Sequence, residues 1–228
     1  GLEALPSGGW RLEVCQGGQT RQVEASHLIS SAPLSWLVGA IQPSLPSEAQ
    51  EAAASLRYRD FLTVALILRP RVSFGDNWLY IHDPDLKVGR IQNFANWSAA
   101  MVPEAGMACY GMEYFTSTDE PLWRMQDAEL ISLATRELEA LKLARPGDVV
   151  DGAVIRQPKA YPVYDDEYRS RRQIIKAALQ QHSQTLHTIG RNGMHQYNNQ
   201  DHSMMTAFLA ARNIMGQGPY DPWCVNTD

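Results

Sequence analysis

Little in this chain points to a nucleic-acid surface, a metal centre or a membrane. Its 228 residues carry 20 basic against 25 acidic side chains, a formal charge of -5. A nucleic-acid surface needs clustered Lys and Arg, and here basic residues cluster only in short runs at 57–59 and 169–172. There are only three cysteines, Cys15, Cys109 and Cys224, widely spaced and without a CxxC pair. That argues against a zinc site and a disulfide framework, and for a reducing, cytoplasmic compartment. His182, His187, His195 and His202 lie close in sequence, but their spacing puts no trio on one face, so no metal is expected. The longest apolar run, 61–68, is too short to span a bilayer. No signal peptide is visible, and the chain starts at Gly1 without an initiator Met, as expected of a piece of a longer protein. A hydrolase reading lacks its Ser/His/Asp set and its G-x-S-x-G. Asn96-Trp97-Ser98 matches a glycosylation sequon, but nothing else suggests secretion.

What is present is an ordinary globular composition, 44% hydrophobic and 20% charged. Residues 11–15 and 20–24 alternate around Gln16-Gly17-Gly18-Gln19 and predict a hairpin. A short strand over 27–31 stops at Ala32-Pro33, and a short helix over 34–41 precedes a Pro/Ser-rich connector at 42–47, the first candidate boundary. The apolar run 61–68 predicts a strand buried on both faces and ended by Arg69-Pro70. Further strands at 78–82, 88–94 and 108–116, with short turns and no helices between them, predict an antiparallel sheet.

The second half turns helical. Leu130, Leu133, Ala134, Leu138 and Leu141 form a helical stripe, ended by Arg145-Pro146-Gly147. A strand over 149–156 and an amphipathic helix marked by Tyr168, Ile174, Ile175, Ala178 and Leu179 follow. The chain then gives a short strand at 185–189, a polar loop at 190–200 and a helix over 201–215 closed by Gly216. An irregular tail runs from 217 to 228.

The segment from Gly190 to Met204 carries the chemistry. It reads as a glycine-bearing loop running into a capped helix, with Asn199 or Asp201 as the cap and Met204, Met205, Phe208 and Leu209 as the buried face. The free amides and positive dipole end of such a helix start favour an electron-rich ligand oxygen. Gly190 and Gly193 permit close approach of a ligand to the backbone, and Arg191 offers a planar cationic fork. The alternative, a strand–loop–helix whose cap satisfies only itself, stays open at this point.

Gly190-Arg191-x-Gly193 followed by Tyr197-x-Asn199-x-Asp201 and a helix resembles the C-terminal flavin motif of the amine-oxidase and UDP-galactopyranose-mutase superfamily. Leu28-Ile29-Ser30-Ser31-Ala32-Pro33-Leu34 resembles the strand-to-proline segment that returns the chain to the flavin domain. Ala160-Tyr161-Pro162 resembles a segment found before the last helix in mutase-like members. The resemblance implies FAD as cofactor, contacted by Gly190, Arg191, Ser31 and Pro33, with Asn199, Gln200, Asp201, His202 and Ser203 forming the helix-start cradle. The mutases often carry a carboxylate where this chain has Asn199.

The family's G-x-G-x-x-G fingerprint is not found: 7–9 and 16–18 lack the context and the spacing. The expected fold is therefore α+β, an antiparallel-sheet substrate domain (46–183) with helices. It would be flanked by C-terminal pieces of an FAD-binding, Rossmann-like domain (1–45 and 184–216) whose N-terminal part is missing. A small-molecule substrate would meet Arg90, Tyr114 and Tyr161, with Trp78, Tyr80, Phe94, Asn96 and Trp97 as further cavity candidates. The leading expectation is FAD-dependent oxidoreduction. The alternatives are a flavin-dependent mutase acting on a nucleotide sugar and a fragment inactive in isolation, holding flavin weakly or not at all and open to homodimerisation through the surface left bare.

Overall fold

Gly17 and Gly18 both have positive φ, +59° and +77°, as a two-residue hairpin turn matched to strand twist requires. They join β2 (Trp10–Gln16) to β3 (Gln19–Ala25), with Gln16 opposite Gln19. The computed structural model describes residues 1–69 and 74–226. Pro70, expected to end a strand, and the last two residues of the expected tail lie outside the described residues. The chain divides into two units, Gly1–Tyr58 with Tyr161–Asp228, and Arg59–Ala160.

In the first unit β1 (Leu2–Ala4) pairs antiparallel with β2 and parallel with β5 (Ile41–Gln42), giving a sheet in the order β3-β2-β1-β5. β4 (Leu28–Ser30) runs into Pro33, which stands directly before α1 (Leu34–Ala40). The expected connector links β5 to α2 (Ser47–Ala54), a helix whose buried residues are Ala49, Ala52 and Ala53.

The second unit is reached along β6 (Tyr58–Leu68) and left along β10 (Val149–Pro162). Its sheet has the order β10-β6-β9-β8-β7, with β7 (Trp78–Tyr80), β8 (Arg90–Asn93) and β9 (Ala108–Thr116); the β6–β9, β9–β8 and β8–β7 pairs are antiparallel. β6 is fully buried on one face only: Leu62, Val64, Leu66 and Leu68 are covered, while the alternate residues stay half-exposed. The expectation of burial on both faces is corrected: α5 covers the face of Leu62, Val64, Leu66 and Leu68, and the other face is only partly covered. Two short helices, α3 (Phe94–Trp97) and α4 (Pro121–Arg124), precede α5 (Asp127–Ala140), which buries Leu130, Ala134 and Leu138 in that face's core. α5 ends well before Pro146: Lys142 turns left-handed at φ +61°, and Lys142 N and Leu143 N donate to Glu139 O and Leu138 O. The helix closes by a Schellman motif with lysine where glycine is usual.

Two buried carboxylates staple this unit. Asp60 accepts from Thr118 N at 2.8 Å and Lys159 N at 2.7 Å. Glu137 accepts from Lys87 N at 2.7 Å, Val88 N at 3.2 Å and the Tyr114 hydroxyl at 2.9 Å. Tyr114 is fully buried, and desolvation followed by the Glu137 charge raises its pKa.

The chain returns to the first unit, where Val163 N donates to Arg57 O at 3.0 Å. α6 (Tyr168–His182) packs Ile175, Ala178 and Leu179 with α1 and α2 in one core. β11 (Leu186–Thr188) then pairs parallel with β4, Leu186 opposite Leu28 and Thr188 opposite Ser30, as a two-stranded sheet. The segment expected to be a polar loop contains α7 (Gly190–Met194), and His195 (φ +46°), Gln196 and Asn198 after it are buried. α8 (Gln200–Ile214) follows, closed by Gly216 as expected, with Gly216 N and Gln217 N donating to Asn213 O and Arg212 O. Its expected apolar face is not buried: Met204, Met205 and Phe208 are 56%, 47% and 61% exposed, and Thr206 and Ala210 face inward instead. As far as residue 226 the tail is irregular, as expected, apart from a helical turn at Pro222–Cys224. Along the chain the compact units change at 58/59 and 160/161, with α2 and α6 both in the first unit's core.

Glu137→Ala leaves two backbone donors and a hydroxyl without a partner, and is expected to destabilise by at least ~2 kcal/mol in urea unfolding, Tyr114→Phe by about half as much. Equal losses from the two would mean that the bonds to 87–88 contribute nothing. Gly193 lies so close to β4 that an added Cβ would stand 2.6 Å from Ser30 O. Gly193→Ala should therefore cost about 2 kcal/mol or more; a neutral effect would show that α7 can shift freely.

Candidate functional site

The expected ligand-binding segment is assembled by α7 and the start of α8. Arg191, on α7, donates through Nε to Asn198 O at 2.9 Å, and its Nη2 lies 3.5 Å from Asn199 Oδ1. Its guanidinium carbon is 5.0 Å from the Tyr161 ring centre and 4.7 Å from that of Tyr197. Those two rings stack at 5.5 Å, tilted by 16°. The cation is thus held by aromatic faces and a carbonyl, a setting that favours the planar guanidinium over an ammonium.

Asn199 is the N-cap of α8. Its side chain takes the His202 amide, and Asn199 N donates to His202 Nδ1 at 3.3 Å, a reciprocal capping box. Ser203 N bonds Asn199 O at 2.9 Å. The amides of Gln200 and Asp201 have no acceptor within the helix, as its geometry dictates for a first turn. A cavity of about 430 Å³ opens here, lined by Arg191, Asn198, Asn199, Gln200, Ser203 and Met204.

Of the cofactor residues expected from sequence, Arg191, Asn199, Gln200 and Ser203 share this cavity. A Cβ added at Gly190 would stand 4.0 Å from the Ser203 side chain. Asp201 is exposed, 3.6 Å from the His202 ring. Ser31 lies against Gly193, so the backbone that approaches this glycine is β4's and not a ligand's. Pro33 accepts from Leu37 N as the start of α1. Sequence reasoning missed Asn198, which is buried and donates to Gly190 O at 3.3 Å. It sits between two motif residues, and only its burial marks it.

Burial and the neighbouring Arg172 charge, opposed by Asp165, push the pKa of His195 down to about 4. No side-chain hydrogen bond reaches either of its nitrogens, and its ring meets Tyr58 edge-on at 4.7 Å and lies 5.9 Å from Tyr168.

In the second unit, strand alternation puts Arg90, Gln92, Glu113, Phe115, Trp78 and Tyr80 on the sheet face opposite α5. Arg90 and Gln92 both bond the Glu113 carboxylate. The Arg90 guanidinium lies 5.6 Å from the Trp78 ring, 5.8 Å from Tyr80 and 6.0 Å from Phe115, and Trp78 stands 5.4 Å from Trp97. Trp78, Tyr80, Trp97 and Phe115 are exposed, so this face presents an aromatic platform around a buried ion pair. Three cavity candidates are otherwise engaged. Tyr114 is in the core bonded to Glu137, Phe94 covers Gly111, and Asn96 donates to Phe74 O and Asp76 O. Among the described residues no group of three His, Cys, Asp or Glu side chains is placed to hold a metal.

No family model matches the sequence, and no curated protein sequence does. Solved structures do match. A reduced UDP-galactopyranose mutase superposes with a TM-score of 0.83 at 21% identity, covering 99% of this chain and 47% of that one. A provisionally named protoporphyrinogen oxidase from Exiguobacterium sp. 255-15 gives 0.64 at 13% identity, covering 91% and 45%. The likeness is one of fold, a mixed α/β architecture with an antiparallel sheet. The chain spans about half the length of the solved structures it matches.

A histidine whose pKa drops from 6.5 unfolded to about 4 folded stabilises the fold fully above pH 6.5, and that contribution is lost as pH falls toward 4. Stability should fall by up to about 1.4 kcal/mol per pH unit in that window, and His195→Gln should flatten the slope. An unchanged slope would place the titration in His182 or His187, whose pKa values burial also lowers.

Proposed function

We propose that this chain is the C-terminal part of an FAD-dependent oxidoreductase resembling the amine-oxidase group. The observation that carries the proposal is the cavity where Arg191, seated beside the stacked rings of Tyr161 and Tyr197, lies next to the uncapped amides of α8. The residues present fit one edge of a flavin ring. Arg191 and the amides of Gln200 and Asp201 suit an electron-rich ring oxygen, and the Met204 side chain supplies an apolar wall. Flavin, when bound, carries the electrons. This chain's own residues would orient the ring edge and offset negative charge there, Arg191 by its fixed cation and α8 by its dipole. Asn199 contributes an amide, so the site has no carboxylate to offset Arg191 where the mutases often have one.

The bare surfaces of the first unit support a missing half. Two parallel strands alone make an unusual sheet, since parallel sheets are normally covered on both faces. Ile29 on β4 is 47% exposed, and α8 turns Met204, Met205 and Phe208 outward. A dinucleotide-binding segment joined to these would supply the pyrophosphate site, and in its absence two copies of the chain could pair through them. Among the described residues no helix is long and apolar enough to cross a membrane. The three free thiols accord with the proposed cytoplasmic setting.

A second reading, a mutase acting on a nucleotide sugar, is favoured by the superposition over 99% of the chain on the mutase. In it the Tyr161–Arg191–Tyr197 stack meets a phosphate-bearing substrate. Turnover that needs an electron acceptor supports the oxidoreductase; isomerisation after prior reduction supports the mutase.

FAD added to the purified chain should be retained weakly or not at all, and firmly by a polypeptide extended at its N-terminus. In the extended protein Arg191→Ala should weaken retention by about 10- to 100-fold, the worth of one charged hydrogen bond. Two folded proteins that both ignore FAD would sink the assignment.

A further inference from the structure

Residues 195–199 join α7 to α8 without regular structure, yet they present Tyr197 and Asn199 to the site. Their backbone groups therefore need partners from elsewhere. Arg172, on α6, donates through Nε to Met194 O at 3.1 Å and through Nη2 to Gln196 Oε1. Tyr197 N donates to the Tyr164 hydroxyl. Local bonds add to these, Gln196 N to Arg191 O, Asn198 N to Gln196 O and Arg191 Nε to Asn198 O, and further bonds come from the C-terminal tail. Gln196 Nε2 donates to Val225 O at 2.7 Å and to Asn226 O, and Asn226 Nδ2 donates to Tyr197 O at 2.8 Å.

The tail is itself tied down twice. Asn213, on α8, exchanges two 2.8 Å bonds with the backbone of Tyr220. Lys176, on α6, bonds Asp221 at 2.7 Å, and Trp223 sits beneath Arg172 at 4.9 Å. A strap anchored on two helices thus closes on the one irregular segment that carries site residues.

We propose that the C-terminal tail is a clamp that positions Tyr197 and Asn199, with Asn226, Gln196 and Arg172 as positioning residues. The clamp's use by a ligand rests on the flavin-site reading; its action on the segment does not. Removing the Asn226 amide frees the Tyr197 carbonyl and one end of the strap. The Tyr197 ring then loses its fixed stack on Arg191, and the approach to the α8 cap loosens.

The test is Asn226→Ala in the chain and in the N-terminally extended polypeptide. Amide hydrogen exchange over 195–203 should speed up about tenfold, the equivalent of one hydrogen bond, while the thermal midpoint moves by no more than about 3 °C. The NMR signal of Arg191 Nε–H, which reports its bond to Asn198 O, should shift. Unchanged exchange in the segment overturns the proposal, and so does an even rise across the whole first unit, which would make the tail a packing element only. FAD retention in the extended protein separates the two readings. Faster exchange with FAD bound by neither form leaves the clamp standing and removes the flavin site. FAD bound equally by both forms overturns the clamp's role in the site.

Discussion

Three residue pairs, Leu28 with Leu186, Ile29 with His187 and Ser30 with Thr188, hold together what the site needs. They join segments separated by most of the chain, and only two strands share the load. The entropy of closing so long a loop grows slowly with its length, which makes an insertion of this size tolerable. The pairing continues past β11, because Ile189 N donates to Ser30 O at 3.0 Å. α7 starts at the next residue, and Gly193 presses its backbone onto β4 at a distance no side chain could occupy. Arg191 is thereby fixed in position before any ligand arrives. The start of α8 is fixed with it through Thr206, which accepts from Gly190 N at 2.9 Å.

Much of this was legible in the sequence wherever a local rule dominates. The Gly17-Gly18 turn, β9, α6, and the Gly216 stop each follow from chemistry within a few residues. Arg191 and Asn199 were legible as a pair because a glycine loop running into a cap is a short-range pattern. What escaped depends on partners far away. α2 buries only alanines, which give no hydrophobic contrast, so no helix was read over Ser47–Ala54, after the 42–47 connector. α5 stops at Lys142 because a lysine takes the left-handed position, where sequence rules look for glycine or the later proline. Tyr114 read as a substrate contact, yet strand alternation and the Glu137 carboxylate take it into the core. On α8, Met204, Met205, Phe208 and Leu209 read as the buried face, but which face of a helix turns inward could not follow from spacing alone. The tail carried no signal, because its bonds are made by Gln196 and Asn226 across long sequence separations.

The buried polar groups divide into two kinds. Glu137 and Asp60 each have more than one directed donor, and each fixes irregular backbone, Glu137 at Lys87 and Val88 and Asp60 at Thr118. Such fully satisfied groups specify one arrangement at the cost of desolvation. His195 is the opposite case, a left-handed residue with a buried ring that lacks a side-chain partner. It sits where α7 must turn toward α8, and its neutral ring is compatible with the Arg172 charge beside it. Stability and site geometry therefore meet in one turn of chain.

The second unit leaves and rejoins the first along β6 and β10, which are neighbours in one sheet, and Val163 donates to Arg57 across the point where they part. Asp60 ties the two strands' surroundings from within by holding Lys159 N. An inserted segment whose ends are already side by side can be lengthened, shortened or exchanged without reopening the body that hosts it. Lineages built on this plan can therefore diversify the aromatic platform around Arg90 while the Arg191 cavity is inherited unaltered. The same junction is the natural place to graft a different Arg59–Ala160 segment when building chimeras.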